Sequence, residues 1–244
     1  MDPTHRAESL SGLAAKLLGC RHRSLPEGTV WDAHFFFAGM QLVVEQGVAA
    51  VRRGRVVLDL LGPEDALGVG QPKVSLAGEQ YDVVALTPVC LLVLPIAQYM
   101  AHLARDPALA GAAARVQART HTRLLERLAA ARQPDVVRRV AAVLALELEH
   151  VGTVCPLVGG RFLSLPQDLL ASLCGLSRQA FNEALSELKA ARLVHVERRF
   201  VCAPNLRALS QAAGGRLRIS PAGRRSHCKL RHSHQPLDCG PAAP

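Results

Sequence analysis

The spacing of apolar positions changes along this chain, and the change falls at Pro95. Before it, apolar residues come in short runs separated by glycine. In "MQLVVEQGVAAVRRGRVVLDLLGPEDALG" the pattern predicts a strand up to Gly47, a second up to the Arg53-Gly54 turn, and a third ending at a Gly62-Pro63 corner. "YDVVALTPVCLLVLP" predicts two further strands broken at Thr87-Pro88. Short strands at this spacing build a small barrel or roll. After Pro95 the period lengthens. Residues 107–132 are dense in Ala, Leu and Arg, with no proline after Pro107, and predict one helix about 35–40 Å long. Leu109, Ala113, Val116, Thr120, Leu124 and Leu128 lie near one stripe of it, which suits either a dimer seam or packing on the helix's own roll. Gln133-Pro134 ends this helix, and Asp135 opens a second amphipathic one in "DVVRRVAAVLALELEH".

The most informative pattern is "SLCGLSRQAFNEALSELKAARLV", residues 172–194. Leu169, Leu170 and Leu173 predict the buried face of a short helix, which Gly175 can end by taking a positive φ. Ser177 is placed to cap the next helix at once. There Phe181, Ala184, Leu185 and Leu188 repeat at helical spacing and turn inward. Arg178, Gln179, Asn182, Glu183, Ser186 and Lys189 are left facing outward. Two helices crossing at a tight turn, the second presenting polar side chains at its start, form a helix-turn-helix. Its alternative is an ordinary helical hairpin with a solvated face. "ARLVHVERRFVCAPN" then predicts a strand at 193–197, a basic turn at Arg198-Arg199 and a return strand at 200–202. Such a wing can lay its arginines on phosphates, while Arg, Gln and Asn on the helix can read base edges by paired hydrogen bonds.

Charge adds support and also dilutes it. The net charge is +9 and the isoelectric point about 9.7, which favours a polyanionic partner. From Gly214 onward, however, Lys and Arg face a single acid, Asp238, so part of the surplus sits in a tail rich in Gly, Pro, Arg and His. That tail places His227, Cys228, His232, His234 and Cys239 close together, but at no established zinc spacing, so no metal is expected. The seven cysteines are scattered and read as reduced core thiols. Cys155-Pro156 is read as structural rather than as a haem thiolate, and Cys174 as a small buried hydrophobe. No apolar run is long enough to span a bilayer, and no basic cluster precedes an apolar stretch near the start, so a cytoplasmic protein without a membrane partner is expected. No nucleophile–base grouping, phosphate loop or helical metal pair stands in a supporting context, so the chain is not read as an enzyme.

"LPQDLLASLCGLSRQAFNEALSELKAARLV" resembles the winged-helix domain of the Crp/Fnr family of bacterial regulators at Leu165, Ala171, Gly175, Ser177, Arg178, Leu185, Leu188 and Leu193-Val194. "LVVEQGVAAVRRGRVVLDLLGPEDALG" is similar to that family's cyclic-nucleotide-binding-type roll at Gly47, Gly54-Arg55 and the Gly62-Pro63-Glu64-Asp65 corner. The resemblance implies an α+β chain: a jelly-roll-like sensory β-roll over 10–106, a dimerisation helix over 107–133 and a winged helix-turn-helix over 134–212. A disordered basic tail over 213–244 lies outside the resemblance. It also implies a homodimeric transcription regulator with double-stranded DNA and RNA polymerase as partners. Ser177 is then expected on phosphate, Arg178, Gln179 and Asn182 on base edges, and Glu183, Lys189, Arg198 and Arg199 in the same interface. The helix departs from the family's usual Ser-Arg-Glu, small residue, Arg at Gln179, Asn182 and Glu183, which implies a different operator or weaker binding. Pro166 stands where a capping Thr is usual. After Leu67-Gly68 only Lys73 supplies a cation, and Glu79 follows Gly78 too late for the phosphate-binding pattern, so cyclic AMP is not the expected effector. Cys20 alone stands where iron–sulfur sensors gather their cysteines. The effector, and any cofactor, stays unknown. A signalling or interaction protein that kept this fold without reading DNA is the alternative.

Overall fold

The computed structural model describes residues 9–17, 19–32, 39–67, 81–155, 159–197 and 200–214. The chain divides into two compact units, with the division between Thr122 and Arg123.

The first unit contains two antiparallel four-stranded sheets. Its strands are β1 (Arg21–Leu25), β2 (Val30–Asp32), β3 (Met40–Gln46), β4 (Ala49–Arg53), β5 (Val56–Leu61), β6 (Ala66–Leu67), β7 (Tyr81–Ala85) and β8 (Val89–Pro95). One sheet runs β1-β8-β3-β6 and the other β2-β7-β4-β5. Alternate residues of β3 and β8 explain why their sequences are apolar almost throughout. Leu42, Val44, Val89, Leu91 and Val93 share a core with Trp31, Ala49, Leu61 and Val83 of the other sheet. The intervening Val43, Leu92 and Leu94 join a second core with three helices: α1 (Leu10–Ala14), α2 (Ile96–Arg105) and the start of α3 (Pro107–Ala131). A sheet covered on both faces needs apolar residues at both phases. Gly47 turns β3 into β4 at φ +87°, where a Cβ would lie 2.1 Å from the Pro88 carbonyl oxygen. The turns at Gly47, Gly54 and Thr87-Pro88 fall where the sequence pattern put them.

The long helix is present, but its apolar stripe does not run straight. Leu109, Ala112 and Val116 pack on the roll. At about 100° per residue, Leu128 has rotated about 100° away from Leu109. Leu124, Leu125 and Leu128 are accordingly exposed, at 45%, 54% and 54%. In this second half the buried positions are Arg123, Arg127 and Ala130.

The second unit is built on α4 (Val136–His150), whose N-terminus Asp135 caps by accepting from the Arg138 N–H at 3.0 Å. It packs against α6 (Arg178–Ala190) and α7 (Leu206–Gly214). Val140, Leu144, Leu148, Leu170, Phe181, Leu188 and Leu209 are fully buried. Arg161 closes the other end of α4, donating to the carbonyls of Leu148 (2.6 Å), Glu149 (3.3 Å) and Gly152 (2.5 Å). The buried arginines of α3 meet acid and histidine from α4. Arg127 Nη2 donates to Glu147 Oε1 at 2.5 Å, and Arg123 Nη1 meets His150 Nε2. Burial by itself raises the Glu147 pKa; His150 and the Arg127 charge outweigh it, and the carboxyl lies below its ordinary value.

Candidate nucleic-acid interface

The site is assembled from two helices, a locked turn and a hairpin. The short helix α5 (Gln167–Leu173) buries Leu170, Ala171 and Leu173, while Leu169 is half-buried. Pro166 opens it without a side-chain cap, as its chemistry dictates. Gly175, at φ +64°, ends it. The Leu176 N–H bonds to the Ala171 carbonyl and the Gly175 N–H to the Ser172 carbonyl, each at 3.0 Å, which is the Schellman closure. Two residues later the Ser177 hydroxyl accepts from the Ala180 N–H at 3.2 Å and starts α6. The turn is thus fixed at both ends by backbone donors and acceptors that the helices themselves leave unpaired.

Orientation follows from packing. Phe181, Ala184 and Leu188 have no exposed surface and Leu185 only 3%, so the opposite side of α6 must face outward. Arg178, Gln179, Asn182, Glu183 and Ser186 share one open face there. The Gln179 side-chain N–H donates to Glu183 Oε1 at 3.0 Å, and the Ser186 hydroxyl donates to the Asn182 carbonyl at 2.8 Å. Lys189 is exposed in the last turn, on the same side of the helix as Asn182 and Ser186. Burial pushes the Cys174 thiol up to about 12, with the Glu147 charge adding to it, so this cysteine of the turn is an inert packing group.

Arg192, at φ +60°, closes α6, and the Leu193 N–H bonds back to the Leu188 carbonyl at 3.0 Å. This shortens the expected strand: it begins at His195 rather than 193, because Leu193 belongs to the helix end. β11 (His195–Glu197) pairs with β12 (Phe200–Ala203), with Glu197 opposite Phe200, so the connection is a two-residue hairpin. Arg198 and Arg199 form that connection in sequence and lie outside the described residues. Through β9 (Thr153–Val154) and β10 (Arg161–Ser164), the wing extends into a sheet ordered β11-β12-β10-β9.

One contributor escaped the sequence reading. Asp168, in the first turn of α5, forms an ion pair with Arg178 across the turn, its Oδ1 3.1 Å from Nε. Its signal in the sequence is slight, an acid ten residues before an arginine with a glycine between them.

Residues 138–212 match the model of the Crp-like helix-turn-helix domain. The solved structures agree over most of the chain. A CooA mutant from Carboxydothermus hydrogenoformans is 17% identical, with a TM-score of 0.62 over 83% of this chain and 90% of its own. The chain shares the fold of Crp/Fnr-type regulators, and its residues 138–212 form a Crp-like helix-turn-helix domain. A CRP-family transcriptional regulator from Thermus thermophilus is 20% identical, with a TM-score of 0.60 over 81% of this chain and 100% of its own. FixK2 from Bradyrhizobium japonicum is 15% identical, with a TM-score of 0.63 over 85% of this chain and 100% of its own. At these identities the likeness is one of fold. No curated protein sequence matches the chain. The Crp/Fnr match places the sequence-predicted helix pair and wing inside the recognised domain. The stretch expected to lack the phosphate-binding pattern, 68–80, lies outside the described residues, as do the histidines and cysteines of the tail. Among the described residues no group of three His, Cys, Asp or Glu could hold a metal, and no helix is long and apolar enough to cross a membrane.

Proposed function

We propose that this chain is a sequence-specific, DNA-binding transcription regulator acting as a cytoplasmic homodimer under an effector other than cyclic AMP. The observation that carries the reading is the outward face of α6. Five polar side chains share an open face there while Phe181 and Leu188 anchor the reverse side. In the major groove, Arg178 would donate a paired hydrogen bond to guanine, and Gln179 and Asn182 would address adenine. Glu183 would accept from a cytosine amino group, with Gln179 holding its carboxylate. Ser177, Lys189, Arg198 and Arg199 would meet phosphates, which set register without reading sequence. Dimerisation is supported by the exposed Leu124, Leu125 and Leu128 of α3. Two half-sites would then sit about one helical turn apart, near 34 Å. RNA polymerase is the partner such a regulator serves.

Selection of bound duplexes from a random pool by the full chain tests this reading. Recovery of a palindromic consensus supports it. One observation favours a second reading, a fold-keeping interaction protein that does not read bases: two acids, Asp168 and Glu183, stand beside Arg178 on the face that would have to approach a polyanion. Salt-sensitive binding with no enriched sequence would establish that alternative and end the first.

A further inference from the structure

We infer that Asp168 is a positioning residue, which turns Arg178 end-on toward a guanine edge. The inference rests on the DNA-reading function proposed above and adds a residue to it. Both side chains are about two-thirds exposed, at 67% and 69%. Neither packs into the core, so their contact has no task in filling the fold. Arg178 is the first residue of α6, where the helix dipole disfavours a cation; Asp168 lies in the first turn of α5, where an anion is favoured. The carboxylate reaches across the locked turn and lies against Nε, the donor nearest the backbone, with Oδ1 3.1 Å away. An arginine can address guanine O6 and N7 either sideways, through Nε and one terminal nitrogen, or end-on through both terminal nitrogens. With the carboxylate covering the Nε side, the end-on fork is the one left open to a base. The turn holds the two residues in register because Gly175 and Ser177 fix both helix ends.

The carboxylate also has a cost: it neutralises one cation and stands near phosphates. Positioning and plain neutralisation therefore predict opposite results on its removal. The test compares the full-length wild type, Asp168→Ala and Asp168→Glu on the selected operator, on single-base variants of it, and on a scrambled duplex. Because Asp168 is exposed, thermal unfolding of the variants should match that of the wild type. The expected result for Asp168→Ala is about a tenfold loss of preference at one guanine, with scrambled-duplex binding unchanged or tighter. Asp168→Glu should restore part of that preference. In an Arg178→Ala background, Asp168→Ala should leave preference unaltered. The inference is overturned if Asp168→Ala tightens binding to every duplex with guanine preference intact, or changes nothing. If the wild type itself prefers no sequence, the failure belongs to the DNA-reading function and not to Asp168.

Discussion

Phe181 decides which side of α6 reaches solvent. It is fully buried beside Ala184 and Leu188, and the helical period then leaves Arg178, Gln179 and Glu183 outside. The neighbouring Cys174 obeys the same packing logic with a chemical consequence. Its thiol is 1% exposed and its pKa is pushed up to about 12, so at neutral pH almost none of it is thiolate. Alkylation by iodoacetamide at pH 7.5, followed by peptide mass mapping, should leave Cys174 unmodified in the native protein and modify it fully in guanidinium. Rapid native labelling at Cys174 would mean that the turn opens easily, and that the fixed geometry proposed for Arg178 and Asp168 does not hold.

At the scale of elements, the end of α3 is tied to α4 by a buried charge pair, Arg127 with Glu147. Arg127 is 7% exposed and its partner Glu147 not at all. Removing one partner of such a pair leaves the other charge buried, at a cost of about 3–5 kcal/mol. Glu147→Gln should therefore lower the unfolding free energy by an amount of that order, measured by urea titration at pH 7. The pH dependence follows from the direction of the shift. The Glu147 carboxyl lies below its ordinary value of 4.5 in the folded chain. Its contribution is complete above that value and fades as pH falls through the lower, folded value. The gap between wild type and Glu147→Gln should narrow on acidification below about pH 4.5. A gap that stays constant down to pH 3 would contradict the assignment.

The elements also show what the sequence could tell. Strands β3, β4, β5, β7 and β8 and helices α3, α4 and α6 were legible because a glycine, a proline or a cap stands at their ends and apolar residues recur along them. β1, "RHRSL", was not, since four of its five residues are exposed and an edge strand leaves no alternation. Helix α2 follows β8 directly at Pro95, so no turn residues separate strand from helix. Helix α7 begins behind Asn205, whose side chain accepts from the Ala208 N–H at 3.0 Å, and is a short capped helix with no glycine or proline along it before its last residue, Gly214. Of the site, every residue of the open face was visible from the period of α6. The Asp168 contact was not, because it joins two helices through a turn whose geometry only the folded chain reveals. Likewise, Arg123 and Arg127 look like ordinary solvent-facing residues until α4 brings Glu147 and His150 to them.

For the whole molecule, the α+β plan of roll, long helix and winged helix accounts for the order of the patterns along the chain. The three exposed leucines of α3 are its clearest unfinished surface. Leu125→Glu with Leu128→Glu should convert a dimer to a monomer in sedimentation equilibrium, and should weaken binding to a two-half-site operator far more than to a single half-site. A wild type that sediments as a monomer at tens of micromolar would remove the basis for paired recognition.

The central claim is that the face beginning at Arg178 reads bases. Its most direct test is the ratio of dissociation constants for the selected operator and a scrambled duplex at one fixed salt concentration, for wild type and Arg178→Ala. Loss of a paired contact to guanine is worth about 1–3 kcal/mol of discrimination. The ratio should therefore fall about tenfold or more, with scrambled-duplex binding reduced only slightly. An unchanged ratio would mean that Arg178 does not read DNA, and the account of this interface would fall with it.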